Sequence, residues 1–179
     1  MTGTKRLLRK VLRCTMAPVR RHRARRVGTV DASGRHMVPN DRFLPFVGEV
    51  LSEGHTAVIW VRGYSMRPFL EHERDRVKLA CPQRVEEGDA VLARLAQGQY
   101  VLHRVIRRDG DRLILQGDGN LRGVEHCRMD DVCGVVIEYI HPGRTIPASD
   151  AGLRRRIRLW RVLRPVRRLM LTFYRATLP

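Results

Sequence analysis

Tyr100-Val101-Leu102-His103-Arg104-Val105-Ile106-Arg107-Arg108-Asp109-Gly110-Asp111-Arg112-Leu113-Ile114-Leu115 decides the fold class. Tyr100 to Arg107 reads as a strand, and Asp109-Gly110-Asp111 is a strong hairpin signal, with Leu113-Ile114-Leu115 as the returning strand. Upstream, Arg76-Val77-Lys78-Leu79-Ala80 alternates polar and apolar as a half-buried strand does, and Pro82 ends it. Glu86-Glu87-Gly88-Asp89 is a turn, Ala90 to Arg94 the next strand, and Gln97-Gly98 another turn. Downstream, Gly117-Asp118-Gly119-Asn120 precedes a strand from Val132 to Ile140, with Gly134 near its start. Ala57 to Val61 is a further strand. Asn40 or Asp41 caps a helix running to about Glu53, with Phe43, Leu44, Val47, Val50 and Leu51 on its apolar face and Glu53-Gly54 closing it. Short strands at this spacing behind one leading helix predict a small, mainly β domain with a coiled or barrel-like sheet.

The chain has 179 residues and is 43% hydrophobic, enough for one domain with a proper core plus extensions. Its net charge of +17 is not spread evenly. Residues 1–36 carry eleven Lys/Arg and one acid, and residues 144–179 carry ten Arg and one acid, whereas residues 37–143 carry fourteen basic and sixteen acidic residues. The reading is therefore a basic, disordered arm over 1–36, a near-neutral β domain over 37–143, and a basic amphipathic helical tail over 144–179. Such a distribution argues against a core that grips nucleic acid over its whole surface and favours arms that meet something anionic. Residues 152–175 read as the tail helix, with Leu153, Ile157, Trp160, Leu163, Val166, Met170 and Phe173 at steps of three and four and a kink expected at Pro165. That stripe fits two readings: packing on the β core, or lying in the interface of an anionic membrane. Nucleic acid is a third partner class, but nothing in the arms looks like a base-reading module.

None of Cys14, Cys81, Cys127 and Cys133 forms a Cys-x-x-Cys pair, so free thiols in a reducing compartment are expected, and no metal or cofactor. No stretch reaches the roughly 18–20 apolar residues that a membrane crossing needs, and the basic N-terminus lacks the apolar run of a secretory signal. A cytoplasmic location follows as the expectation, at most peripheral to the inner face of the membrane.

Three polar elements carry chemistry on this framework. Strand Ala57–Val61 runs into Gly63-Tyr64-Ser65-Met66-Arg67-Pro68, where a flexible glycine and a rigid proline bracket a serine. His103 stands in mid-strand, and Asp118 lies in a glycine-rich turn. A serine hydroxyl is a weak nucleophile until a base takes its proton, and the base needs a group that fixes its tautomer. Taken by residue type alone, Ser65 also fits a surface strand turn and His103 a satisfied core or surface histidine. Gly63, Met66 and Pro68 are candidate cleft residues, as are Phe69, Val77 and Leu79, although apolar residues such as Met66, Phe69, Val77 and Leu79 more often belong to a core. Arg62 and Arg67 flank the serine.

Gly63-Tyr64-Ser65-Met66-Arg67-Pro68, Asp75-Arg76-Val77, Gly88-Asp89-Ala90-Val91, His103-Arg104-Val105-Ile106, Gly117-Asp118-Gly119-Asn120 and Gly134-Val135-Val136 follow one order. That order resembles the serine peptidase clan of LexA-type repressors and type I signal peptidases, over about residues 57–140. The resemblance implies a coiled β fold, Ser65 as nucleophile and His103 as general base. Histidine there is similar to the endoplasmic-reticulum and archaeal-type signal peptidases, where the LexA-type and bacterial enzymes have lysine. Asp118 matches the aspartate of that branch's Gly-Asp-Asn-Asn motif. A further aspartate of the branch, six residues on, is replaced by Val124, with Glu125 beside it; Glu125, Asp118, Asp130 and Asp131 are the candidate acids behind His103. Backbone N–H groups near Ser65 are implied as oxyanion donors, with an extended peptide or protein substrate added to a sheet edge. The chain has neither the membrane anchor of a signal peptidase nor the helix-turn-helix of a repressor, and resembles small stand-alone bacterial members of the clan. Two functions follow as expectations: a serine endopeptidase, or a binding protein that keeps the fold with little turnover and is recruited by its basic tails.

Overall fold

The computed structural model describes residues 29–30, 36–37, 40–96, 98–163, 166–167 and 170–171. Two short strands, β1 (Thr29–Val30) and β2 (His36–Met37), pair antiparallel. Part of the predicted arm is therefore paired; the rest of residues 1–36 lies outside the described residues. Helix α1 (Asn40–Ser52) holds Pro45 and buries Val47 and Leu51, with Phe43 and Leu44 packed on the same cluster. This is the apolar face that the three- and four-residue spacing predicted.

Eight strands make one antiparallel sheet: β3 (Ala57–Trp60), β4 (Arg76–Ala80), β5 (Ala90–Arg94), β6 (Tyr100–Asp109), β7 (Arg112–Gln116), β8 (Glu125–Arg128), β9 (Val132–His141) and β10 (Arg144–Pro147). The spatial order is β3-β4-β9-β5-β6-β7-β8, with β10 also on β9. Register shifts between Lys78 and Leu79, Leu92 and Ala93, and Val105 and Arg107 mark bulges. Each bulge adds bend and twist, and together they curl the sheet into a half-barrel. The fold is mainly β, as predicted. One apolar cluster lies under α1, around Leu51, Leu70, Leu79 and Tyr139; a second draws on strands β5 to β9, around Val91, Leu115 and Val132.

The sheet does not stop at residue 143. Strand β10 pairs with β9 from Arg144↔His141 to Pro147↔Glu138, and helix α2 (Ala151–Val162) then packs back on the domain. Asp150 caps α2 by accepting the Leu153 N–H at 2.7 Å. Leu153, Ile157 and Trp160 are buried. Burial of three such side chains contributes roughly 5–8 kcal/mol, whereas the ion pairs Arg154–Asp89 (3.0 Å) and Arg161–Glu87 (3.2 Å) are partly exposed and add at most about 1 kcal/mol each. The stripe from Leu153 to Trp160 thus belongs to the core, and the described part of residues 144–179 is no separate tail. Arg164, Pro165 and Phe173, where the kink and the helix end were predicted, lie outside the described residues. No helix among the described residues is long and apolar enough to cross a membrane.

One expectation fails at the cysteines. Cys127 and Cys133 are free, but Cys81 is disulfide-bonded. Cys81 belongs to no Cys-x-x-Cys pair, so the sequence pattern could not reveal the bridge.

Candidate active site

The serine loop begins where β3 leaves the sheet. Val61 is buried and exchanges backbone bonds with the segment that returns toward β4: its N–H donates to Asp75 O (3.0 Å), and Glu73 N–H donates to its carbonyl (2.8 Å). Gly63 has φ +88°, a left-handed conformation that favours glycine. Its N–H donates to His72 Nδ1 (3.1 Å), and His72 meets the Tyr64 ring edge-on at 5.1 Å. Arg67 lies 4.3 Å over that same tyrosine ring and pairs with Glu71 (2.7 Å). Met66 and Leu70 anchor the loop from below, both fully buried. The Arg67–Pro68 peptide is cis.

Asp75 closes this loop from inside. It is fully buried and accepts the Glu71 N–H at 2.8 Å, two bonds from Arg74 (3.0 and 2.9 Å), and a contact from His141 Nδ1 at 3.2 Å. Burial works against its ionisation, but these donors outweigh burial and hold the carboxyl below its ordinary value of 3.8.

The turn from Gly117 to Asn120 clasps the loop from the other side. Gly119 N–H donates to Ser65 O at 2.7 Å. A Cβ on Gly117 would stand 2.5 Å from Ser65 O and 2.9 Å from Ser65 Cβ; one on Gly119 would stand 2.8 Å from Tyr64 O. No side chain fits between the two segments, which is the physical reason for a glycine on each side of Asp118.

Asp118 itself turns away from the serine. Its carboxylate takes bonds of 2.8 and 3.0 Å from Arg104 Nε and 2.6 Å from the Arg104 terminal nitrogen. Arg104 is 0% exposed and Asp118 3%. The same guanidinium donates to Gly88 O (2.8 Å) and Tyr139 Oη (3.2 Å) and lies 5.3 Å from the Phe69 ring centre. Trp160 of α2 donates to Asp118 O at 2.9 Å. Burial alone would push Arg104 toward losing its proton; Asp118 and Tyr139 outweigh this and hold it charged.

His103 precedes Arg104 on β6, so the two side chains leave opposite faces of the strand. The imidazole is buried, and Glu125 Oε2 lies 2.8 Å from its Nδ1. The sheet register delivers that carboxylate: Arg104 pairs with Gln116 at the end of β7, and Glu125 pairs with Leu115 one strand further on. A carboxylate at Nδ1 places the ring proton there and leaves the lone pair on Nε2, the tautomer a general base needs.

Ser65 and His103 line one cavity of about 280 Å³, with Leu44, Met66, Leu92 and Tyr100 among its walls. Two strands border it: β3, which among the described strands pairs with β4, and Tyr100–His103 of β6, which pair with β5 because β7 begins its pairing at Arg104. Among the described residues, no hydrogen bond joins Ser65 Oγ to His103, and no acceptor engages the N–H groups of Ser65 and Met66.

The structure therefore brings Ser65, His103 and Glu125 to one place. Asp118 is not in contact with His103; Arg104 claims its carboxylate. Asp131 accepts the Arg128 N–H at 2.7 Å, capping the short turn Met129–Asp131, and among the described contacts Glu125 is the acid bonded to His103. Of the candidate cleft residues Met66 lines the cavity, whereas Gly63 and Pro68 serve the loop's conformation, and Val77 and Leu79 are core. Arg62 lines the cavity and Arg67 is paired with Glu71. The sequence reading left Arg104 without a role; its only signal was a cation inside an apolar strand. Among the described residues no group of three His, Cys, Asp or Glu side chains could hold a metal ion. A scan against protein-family models finds no match, and no curated protein matches the chain.

Proposed function

We propose that the chain is a serine endopeptidase with the fold of LexA-type and signal peptidase-type enzymes, using Ser65 as nucleophile, His103 as general base and Glu125 as the acid behind the base. The observation that carries this reading is the Glu125–His103 bond at Nδ1, on a histidine that shares its cavity with Ser65. In the acylation step Ser65 Oγ attacks the peptide carbonyl while His103 Nε2 takes its proton, and Glu125 steadies the imidazolium. The unengaged N–H groups of Ser65 and Met66 supply donors for the oxyanion. His103 then gives its proton to the leaving amine, and water, activated by the same ring, releases the acyl group. An extended peptide fits along Tyr100–His103 of β6, beyond the reach of β7, where main-chain bonds give affinity and the apolar cavity takes one side chain. The ordered motifs from Gly63 to Gly134 support the fold assignment.

A second reading has its own support. Ser65 and His103 are not hydrogen-bonded, which is what a binding protein with little turnover would keep. Catalytic hydrogen bonds are often long without substrate, so the first reading stands ahead. A fluorophosphonate probe separates the two. Labelling of the wild type that disappears in Ser65→Ala and falls in His103→Ala supports the peptidase; equal labelling of wild type and Ser65→Ala sinks it, and a folded wild type that never labels favours the binding protein.

A further inference from the structure

Helix α2 gives its inner side to the core, and its outer side is not an ordinary polar surface. Leu159 and Val162 are 57% and 75% exposed, and Val166 and Met170 are exposed beyond them. Residues 151–162 include five arginines and no acid. Arg155 lies one turn before Leu159 and Arg158 one turn before Val162, so cations and apolar side chains share one strip of the helix. Arg155 and Arg158 are exposed, and among the described residues neither has a hydrogen-bond or ion-pair partner. Beside this strip α2 forms a groove of about 530 Å³ against β6 and β7. Ile106, Ile114 and Val162 line it, and Arg107, exposed and likewise unpartnered, stands at its wall opposite Arg158.

We propose that this outer strip of α2, with the groove beside it, docks on an anionic lipid bilayer. A bilayer interface offers what both kinds of side chain lack in water: anionic headgroups for the arginines, and hydrocarbon for Leu159 and Val162. A phosphodiester polymer would pair with the arginines but leave the two apolar side chains in water, so the pattern fits lipid better than nucleic acid. The stripe used differs from the one that periodicity suggests, since Leu153, Ile157 and Trp160 are already spent on the core. This inference does not rest on the peptidase reading.

The test is co-sedimentation of the full chain with vesicles of phosphatidylcholine alone and with about a third phosphatidylglycerol, roughly the anionic range over which basic helices bind. Wild type is expected to pellet only with anionic vesicles. Leu159→Ser/Val162→Ser and Arg155→Glu/Arg158→Glu should each weaken that binding about tenfold or more. All four positions are exposed or half-exposed to water on the folded domain, so an unchanged Tm verifies that the variants fold. Undiminished binding by the apolar double variant overturns the proposal and leaves a purely electrostatic contact through some other basic segment. Absence of wild-type binding overturns it outright. Binding of a 30-base-pair DNA duplex that is tighter than vesicle binding and indifferent to Leu159→Ser/Val162→Ser overturns it in favour of nucleic acid.

Discussion

Replacing Gly117 with alanine inserts one methyl group between the Asp118 turn and the serine loop. Gly117 does not have a left-handed backbone, so alanine meets no conformational penalty there. The obstacle is contact alone: the new carbon would stand 2.5 Å from Ser65 O and 2.9 Å from both Ser65 Cβ and Asn120 Nδ2. Two of these neighbours belong to the residue proposed as nucleophile, and backbone cannot swing aside as a side-chain tip can. Overpacking of this kind costs about 1–3 kcal/mol, and the entropy alanine removes from the unfolded chain returns about 0.4–1 kcal/mol. The net loss is about 1–2 kcal/mol, a fall in Tm of about 2–8 °C for a domain of this size. The effect on reactivity is larger, because relief of a 2.5 Å contact moves Ser65 by a good part of an ångström, and such a displacement costs on the order of a hundredfold in rate. Gly134→Ala supplies the control. Its closest contact would be the Leu51 Cδ1 methyl at 2.6 Å, the movable end of a side chain in the core beneath α1. The expected result is a fluorophosphonate labelling rate that collapses in Gly117→Ala and stays near wild type in Gly134→Ala, with Tm measured for both. Labelling of Gly117→Ala at the wild-type rate, or equal loss in the two variants at equal Tm, refutes the argument.

Glu125→Gln should slow labelling by roughly 10²–10⁴-fold with little change in Tm, because Glu125 is partly exposed on the edge strand β8; Glu125→Asp should keep more of the rate than Glu125→Gln, and equal rates in the two variants would contradict a charge requirement. Asp118→Asn leaves the buried Arg104 without its counter-charge, and urea unfolding should show a loss of about 3–5 kcal/mol, whereas a loss under about 1 kcal/mol would mean that the pair is dispensable. Asp75 titrates lower in the folded chain than its ordinary value of 3.8, so its contribution is present in full above that value and lost as pH falls through the folded value; Tm measured from pH 6 to pH 2 should fall more steeply for wild type than for Asp75→Asn, and parallel curves would contradict it.

The sheet was largely legible because its signals are local. Alternation in Arg76–Ala80 and the Asp109-Gly110-Asp111 turn each need only neighbouring residues to be read, and β4, β6 and β7 follow them closely. Strands β8 and β10 were not read. Glu125-His126-Cys127-Arg128 and Arg144-Thr145-Ile146-Pro147 are short and polar, and each hides only part of one face, so neither shows an apolar period. The Ser65–His103 pairing of roles came from motif order. The acid was open among four candidates because the distance from His103 depends on the register of β6, β7 and β8, which no spacing along the chain encodes. Arg104 was invisible for the same reason: a cation in a strand reads as a solvent-facing residue until its carboxylate, fourteen positions away, is seen beside it.

That buried pair has a consequence for how β6 finds its place. His103 and Arg104 are consecutive, and a one-residue slip of a strand exchanges its two faces. In the slipped arrangement the guanidinium would point into the cavity, and the shorter imidazole would face Asp118 in place of a guanidinium that also bonds Gly88 O and Tyr139 Oη. Breaking a buried, multiply bonded charge pair costs about 3–5 kcal/mol, in addition to the apolar burial that a one-step slip forfeits. Arg104 and Asp118 thus favour one register of β6, and that same register sets His103 beside Glu125.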